Sequence, residues 1–216
     1  MIPTAAHFDQ WGAQLAELGF TRMRSGALAP RHALQAEAAG LVCIQELALL
    51  EATPPWRIPR SRHPTSRSGS RRTADLAKVD HAAFGDVWRL DASMLADVRT
   101  ATPASRARVV TTPNLAREMD GQATADTATD VAGFLLAGCA GRNGYIQRLA
   151  VDPGARRHGV ATSLLADAMR WLRRRKVDRT FVNTHVENEP ALRLYRALGF
   201  TELPERLRVF EGPTRR

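Results

Sequence analysis

The sequence predicts a mixed α/β fold: one alternating unit over residues 73–212 preceded by a small N-terminal α/β arm over 1–52. Three observations carry this reading. Strands and amphipathic helices alternate along 130–212, an order that places helices on the faces of a mixed sheet. A segment rich in Pro, Ser and Arg, 53–72, separates this unit from the apolar, regular arm and has the composition of an exposed linker. The chain has 216 residues, 44% of them hydrophobic, enough to bury a sizeable core.

Each element has its own signal. "TADLAKVDHAAF" places Leu76, Val79 and Phe84 at near-helical spacing, and "DASMLADVRTA" suggests a second short helix. "RARVVT" reads as a strand, and 113–129 as a polar loop. "DVAGFLLAGCAG" and "YIQRLAV" read as two strands joined through Arg142-Asn143-Gly144, because Asn-Gly accepts the positive φ of a tight hairpin. "GVATSLLADAMRWLRRR" sets Val160, Leu164, Leu165, Ala168 and Leu172 on one helical face. Its closing arginines suit the negative end of the helix dipole. "RTFVNTHV" is a strand by its β-branched and aromatic content. "NEPALRLYRALGF" is a helix with Pro190 in its first turn and Gly199 at its end. "LRVF" is a final strand.

Composition limits the function classes. No apolar run approaches the roughly 20 residues needed to span a bilayer, and the N-terminus lacks a basic start followed by an apolar run, which argues against a secretory signal. Cys43 and Cys139 lie far apart without metal-ligand spacing, so reduced thiols in a cytoplasmic protein are expected, and the histidines imply no metal. The net charge of +9 invites a nucleic-acid reading. Six arginines of 54–72 supply most of it, however, leaving +3 for the rest. That concentration argues against a binding face spread over the fold.

The stretch "PGARRHGVATSLL" (153–165) follows a strand and opens a helix. The first turn of a helix has unpaired N–H groups and a partial positive charge, so it can bind an anion. Gly159 and Ala161 let a phosphate approach the backbone, and Arg156, Arg157 and His158 add charge or donors beside it. By itself this turn also reads as an ordinary helix start flanked by solvated arginines.

The order Arg156-x-x-Gly159-x-Ala161 after "LAVDP" resembles the pyrophosphate loop of the GNAT superfamily of acyl-CoA N-acyltransferases. The resemblance continues in "NEPALRLYRALGF", which matches that family's Asn-x-x-Ala-x-x-x-Tyr-x-x-x-Gly-Phe at Asn188, Ala191, Tyr195, Gly199 and Phe200. It implies a mostly antiparallel twisted sheet flanked by helices, with acetyl-CoA as co-substrate. It further implies that the backbone of 157–162, with Val160 and Thr162 among them, holds the pyrophosphate. Leu149 and Val151 would pair with the pantetheine arm, Asn188 would contact it, and Tyr195 would protonate the departing thiolate. A phenol is protonated at neutral pH and suits that role. Asn188 also reads as a helix N-cap, Tyr195 as a core aromatic, and Leu192 and Phe200 as plain core.

The base is less defined. The chain most resembles the ribosomal-protein-alanine acetyltransferases, which carry a glutamate five residues before the asparagine; Asn183 stands there in this sequence. His185 is a candidate base on the same strand face, and Gln147 and Arg148 are candidates to line the acceptor cleft. The acceptor is an amine on a protein or a small molecule. An acyl-CoA-binding sensor without catalysis is the alternative. Residues 21–51 repeat the order of 180–211, with Gly40 aligned to Gly199, but Ala29 and Ala36 fall where Asn188 and Tyr195 should be. The arm thus resembles a degenerate half of a second unit. With a marginal core of its own, it is expected to pack on the rest of the chain or on a second copy.

Overall fold

A computed structural model describes residues 3–112 and 130–214, so the loop predicted at 113–129 lies outside the described residues. The chain forms two compact units that do not follow chain order. The larger comprises Ala52–Val182 with Ala197–Gly199; the smaller comprises Met1–Glu51, Asn183–Arg196 and Phe200–Arg216. The chain passes between them within a strand and not only at the Pro/Ser/Arg segment.

In the larger unit the strands are β3 (Ser66–Arg67), β4 (Ala104–Thr111), β5 (Val131–Ala140), β6 (Asn143–Val151) and β7 (Arg179–His185, which continues into the smaller unit). They are ordered β7-β6-β5-β4-β3. All pairs are antiparallel except β6 with β7. That parallel pair requires a crossover, supplied by α5 (Val160–Arg174). The face predicted for α5 is buried throughout, from Val160 to Leu172. Helices α3 (Thr73–Trp88) and α4 (Ala92–Thr100) cover a core of Leu76, Val79, Leu95, Val109, Phe134 and Leu136. Asp91 caps α4 by accepting the Met94 N–H at 2.9 Å.

The β5–β6 turn departs from the sequence reading. Ala140 pairs with Asn143, so the turn is Gly141-Arg142, and Asn143-Gly144 already belong to β6. Gly141 supplies the positive φ (+56°) at the first turn position, the type II′ pattern. Gly144 serves packing instead: a Cβ there would stand 2.8 Å from Leu172 Cδ2.

The Pro/Ser/Arg segment is exposed over most of its length, as its composition implies, but His63 and Ser68 are buried. It is anchored rather than free: Ser66–Arg67 form β3 on β4, and the Thr65 hydroxyl donates to Asp167 at 3.2 Å.

In the smaller unit α1 (Ala5–Glu17), β1 (Arg22–Arg24), α2 (Pro30–Ala38) and β2 (Val42–Ala52) precede α6 (Glu189–Ala197) and β8 (Thr201–Pro213). β8 is far longer than the predicted "LRVF" because both β1 and β2 pair with it, antiparallel. Phe8, Ala33, Ala36, Leu41 and Phe210 form its core. Helices α2 and α6 of this unit close alike: Leu41 N donates to Ala36 O at 3.0 Å, and Phe200 N to Tyr195 O at 3.1 Å. Gly40 and Gly199 take the left-handed conformation that each stop requires.

One ion pair joins the helices of the larger unit to β6. Asp80, wholly buried on α3, accepts from Arg148 Nε at 2.7 Å and Nη2 at 2.8 Å, and from Leu90 N at 2.6 Å. Arg148 also donates to the Trp88 carbonyl at 2.7 Å and lies 3.6 Å from the Phe84 ring centroid. Removing one partner strands a buried charge. We expect Asp80→Ala to lower unfolding free energy by about 3–5 kcal/mol in urea titrations; a loss below about 1 kcal/mol would show that the pair does not hold the α3–α4 turn.

Candidate active site

The candidate site starts from an interruption in β6. Its register with β5 steps from Ala137↔Ile146 to Leu136↔Arg148, leaving Gln147 as an extra residue. Alternation alone sends Gln147 and Arg148 to opposite faces. The bulge relaxes that rule, and both side chains reach the helical layer. Gln147 Nε2 donates to the Val98 carbonyl on α4 at 3.1 Å, while Arg148 binds Asp80 on α3. The sequence reading of these two as cleft residues is therefore corrected: both are partly buried and hold helices.

The bulge coincides with the end of the parallel pairing. β6 pairs with β7 from Asn143↔Arg179 to Ile146↔Val182 and no further. Beyond that point, among the described residues, β6 is bonded only to β5. Asp152 N donates to Ala132 O at 3.0 Å, so Asp152 faces β5. By strand alternation Ala150 faces the same way, and the N–H and C=O groups of Leu149 and Val151 point to the opposite edge. That edge can accept an extended ligand as a further strand would be accepted.

The chain then enters a tight turn. Asp152 accepts the Gly154 N–H at 2.9 Å, starting a short 3-10 turn over Pro153–Ala155. Arg157 has φ +70° and Gly159 φ +83°, both left-handed, before α5 begins at Val160. The first α5 bond within reach of the turn is Ser163 N to Gly159 O at 2.9 Å. Among the described residues, the N–H groups of 157–162 make no hydrogen bond. They comprise the backbone of Arg157, His158, Gly159, Val160, Ala161 and Thr162. Arg156 lies beside them, exposed, with Nη2 3.3 Å from the Ala83 carbonyl. Gly133 on β5 brings the helix start close: a Cβ there would meet Val160 Cγ1 at 2.8 Å and Ala150 O at 2.9 Å.

The other predicted residues lie in the smaller unit. Asn188 Oδ1 accepts from Ala191 N at 3.3 Å and its Nδ2 donates to Thr184 Oγ1 at 3.1 Å, so it caps α6. Tyr195 is buried on α6 with its ring centroid 5.7 Å from that of Phe200. Burial pushes the Tyr195 phenol above its usual value and keeps it protonated. Leu192 and Phe200 are buried core. Asn183 is exposed. His185 Nδ1 accepts the Glu187 N–H at 3.1 Å. A ring held this way carries its proton on Nε2 when neutral, and the lone pair a base needs is already engaged.

α5 is tied to the sheet through Asp167. The carboxylate accepts from Arg106 Nε (2.6 Å) and Nη2 (3.0 Å), Arg108 Nε (3.3 Å) and Thr65. Burial alone would raise this carboxyl, but Arg106, Arg108 and Thr65 outweigh it and hold it below the usual 3.8. Sequence reasoning missed this cluster, because its members are far apart in the chain and carry no motif. Among the described residues no cluster of His, Cys, Asp or Glu could hold a metal, and no helix is long and apolar enough to cross a membrane. Cys43 is exposed and Cys139 buried, both as free thiols.

A bulged strand with an open edge, leading into a glycine turn of unbonded N–H groups, defines a domain suited to an extended, phosphate-bearing ligand. Comparison with known proteins finds a family likeness there: residues 113–200 match the acetyltransferase (GNAT) family. N-alpha-acetyltransferase 30 of Saccharomyces cerevisiae is 37% identical over 67 residues, which is 31% of this chain and 38% of the yeast protein. The chain thus spans well under half the length of that relative. Among solved structures, a tandem GNAT protein from the clavulanic acid biosynthesis pathway superposes with TM-score 0.60 at 13% identity, covering 98% of this chain and 70% of its own. The ribosomal-protein-S18-alanine N-acetyltransferase of Escherichia coli gives TM-score 0.53 at 16% identity, covering 71% and 95%. These two show a shared fold.

The Asp167 cluster gives a pH signature. A depressed carboxyl contributes stability that is present above pH about 4 and lost as pH falls through the folded value. We expect Asp167→Asn to destabilise by about 1–2 kcal/mol at pH 7, and the gap from wild type to narrow in urea unfolding as pH falls below about 4. A gap that persists undiminished in acid would remove the carboxylate's charge as its cause.

Proposed function

We propose that the chain is an acyl-CoA-dependent N-acetyltransferase that moves an acetyl group from acetyl-CoA to a primary amine in a ternary complex. The observation that carries this reading is the run of unbonded N–H groups at 157–162, reached from a strand whose Leu149 and Val151 turn their backbone groups to an open edge. The family match over 113–200 supports it. The thioester supplies an activated acetyl group and a thiolate leaving group.

In this reading the backbone of 157–162, flanked by Arg156, Arg157 and His158, holds the pyrophosphate. Leu149 and Val151 align the pantetheine arm, and a β6 N–H polarises the thioester carbonyl. The protonated Tyr195 donates to the thiolate. Asn188 starts α6 and keeps one amide proton and one lone pair for the pantetheine arm. His185 does not serve as base, because its lone pair is held by Glu187; the acceptor amine gives its proton to water. The N-alpha-acetyltransferase relative supports a protein α-amine as acceptor. The N-terminal arm is a degenerate half unit without catalysis of its own. The competing reading, a silent acyl-CoA sensor, is favoured by Asn183 and the engaged His185.

An acceptor screen with acetyl-CoA, following free CoA, separates the two. We expect wild-type turnover and a fall in kcat of about 100-fold in Tyr195→Phe; equal turnover by that variant would remove the acid role, and absence of turnover with any amine would favour the sensor. With a peptide acceptor, kcat/KM should rise with a single limb near the α-amine's own pKa, about 7.7–8.0. A limb that vanishes in His185→Gln would instead make His185 the base.

A further inference from the structure

The six arginines of 54–72 are the largest feature of the sequence that the reaction leaves unused. The structure sets one of them, Arg62, against the turn before α5. Ser163, wholly buried in the first turns of α5, accepts the N–H groups of both Arg62 and His63 at 3.1 Å. His63, 4% exposed, has Nε2 2.5 Å from the His158 carbonyl. Thr65 is bonded to Asp167 on the same helix. Residues 62–65 are thus strapped along the start of α5, and they bring the Arg62 side chain across Gly159. Where a Cβ on that glycine would stand, Arg62 Cδ is 3.3 Å away.

The Arg62 side chain is exposed, and among the described residues it has no carboxylate partner, unlike Arg106, Arg142 or Arg148. Arg156 and Arg157 are exposed at the same turn. A helix N-terminus carries partial positive charge and repels cations. Three guanidinium-bearing residues gathered where 157–162 also present unbonded N–H groups make an electrostatically unfavourable arrangement in the free protein. A phosphate is attracted to every one of these groups and offsets their mutual repulsion. The buried Nδ1 of His158, which has no hydrogen-bond partner among the described residues, lies in the same turn.

We propose that residues 60–65 form part of the acyl-CoA phosphate site, with the Arg62 guanidinium binding a phosphate of the nucleotide and Ser163 and His63 acting as positioning residues for it. This rests on the acyl-CoA reading above. It gives the basic segment a nucleotide rather than a nucleic acid to neutralise it. The strap lies outside the Arg-x-x-Gly-x-Ala motif, so the motif alone does not reveal it.

Calorimetric titration tests this with acetyl-CoA, its 3′-dephospho form and S-acetylpantetheine. Arg62→Ala should weaken acetyl-CoA binding about tenfold, Arg62→Lys should recover part of it, and Ser163→Ala should weaken it because the strap loses its mount. Arg71→Ala, which removes an equal charge from the same segment, should bind as wild type does. S-acetylpantetheine, which lacks the phosphates, should not distinguish wild type from Arg62→Ala. If the Arg62→Ala loss disappears with the dephospho form, the 3′-phosphate is the partner; if it persists, the pyrophosphate is. Equal acetyl-CoA affinity of wild type and Arg62→Ala, or an equal loss in Arg71→Ala, would overturn the proposal and leave the acyl-CoA reading standing. Failure of wild type to bind acetyl-CoA at all would overturn both.

Discussion

Past Ile146, among the described residues, β6 has a strand on one side only, and the candidate site follows from that. A backbone edge with outward N–H and C=O groups must be satisfied by water, by another strand or by a ligand. The bulge at Gln147 and the end of the β7 pairing fall at the same residue boundary. Immediately downstream the chain turns through two left-handed residues into α5. The open edge and the glycine turn are therefore consecutive parts of one segment.

The surrounding contacts keep that segment in place. Arg148, the residue after the bulge, is clamped by buried Asp80 on α3. Gly133 lets β5 approach the first residue of α5. Asp167 gathers two arginines of β4 and Thr65 of the basic segment onto α5. Each contact is ordinary in kind. Together they tie β4, β5, β6 and α5 to the turn whose N–H groups stay unbonded.

Much of this fold is written in local patterns. The α5 face was legible because apolar residues recur at helical spacing, and eight of its nine buried positions are apolar. Gly199 was legible as a helix stop. The hairpin was placed two residues late because Asn-Gly is a strong turn signal, while Gly141 meets the positive-φ requirement of this turn. The length of β8 could not be read from "LRVF", since its partners lie more than 150 residues upstream. The site divides in the same way. The glycine turn, Asn188 and Tyr195 were legible as motifs. Gln147 and Arg148 read as candidates for the acceptor cleft because their partners, Val98 and Asp80, lie on helices far away in the chain. The basic segment read as a linker because Arg, Ser and Pro are exposed by composition, and its anchors on Ser163, Asp167 and β4 lie far away in the chain.

The account turns on which amides a ligand covers. Residue-resolved hydrogen exchange, with and without acetyl-CoA, measures this directly. The account predicts slowed exchange at Leu149, Val151 and 157–162 on addition of acetyl-CoA. Acetyl-CoA bound in full while those amides exchange as fast as in the free protein would contradict it.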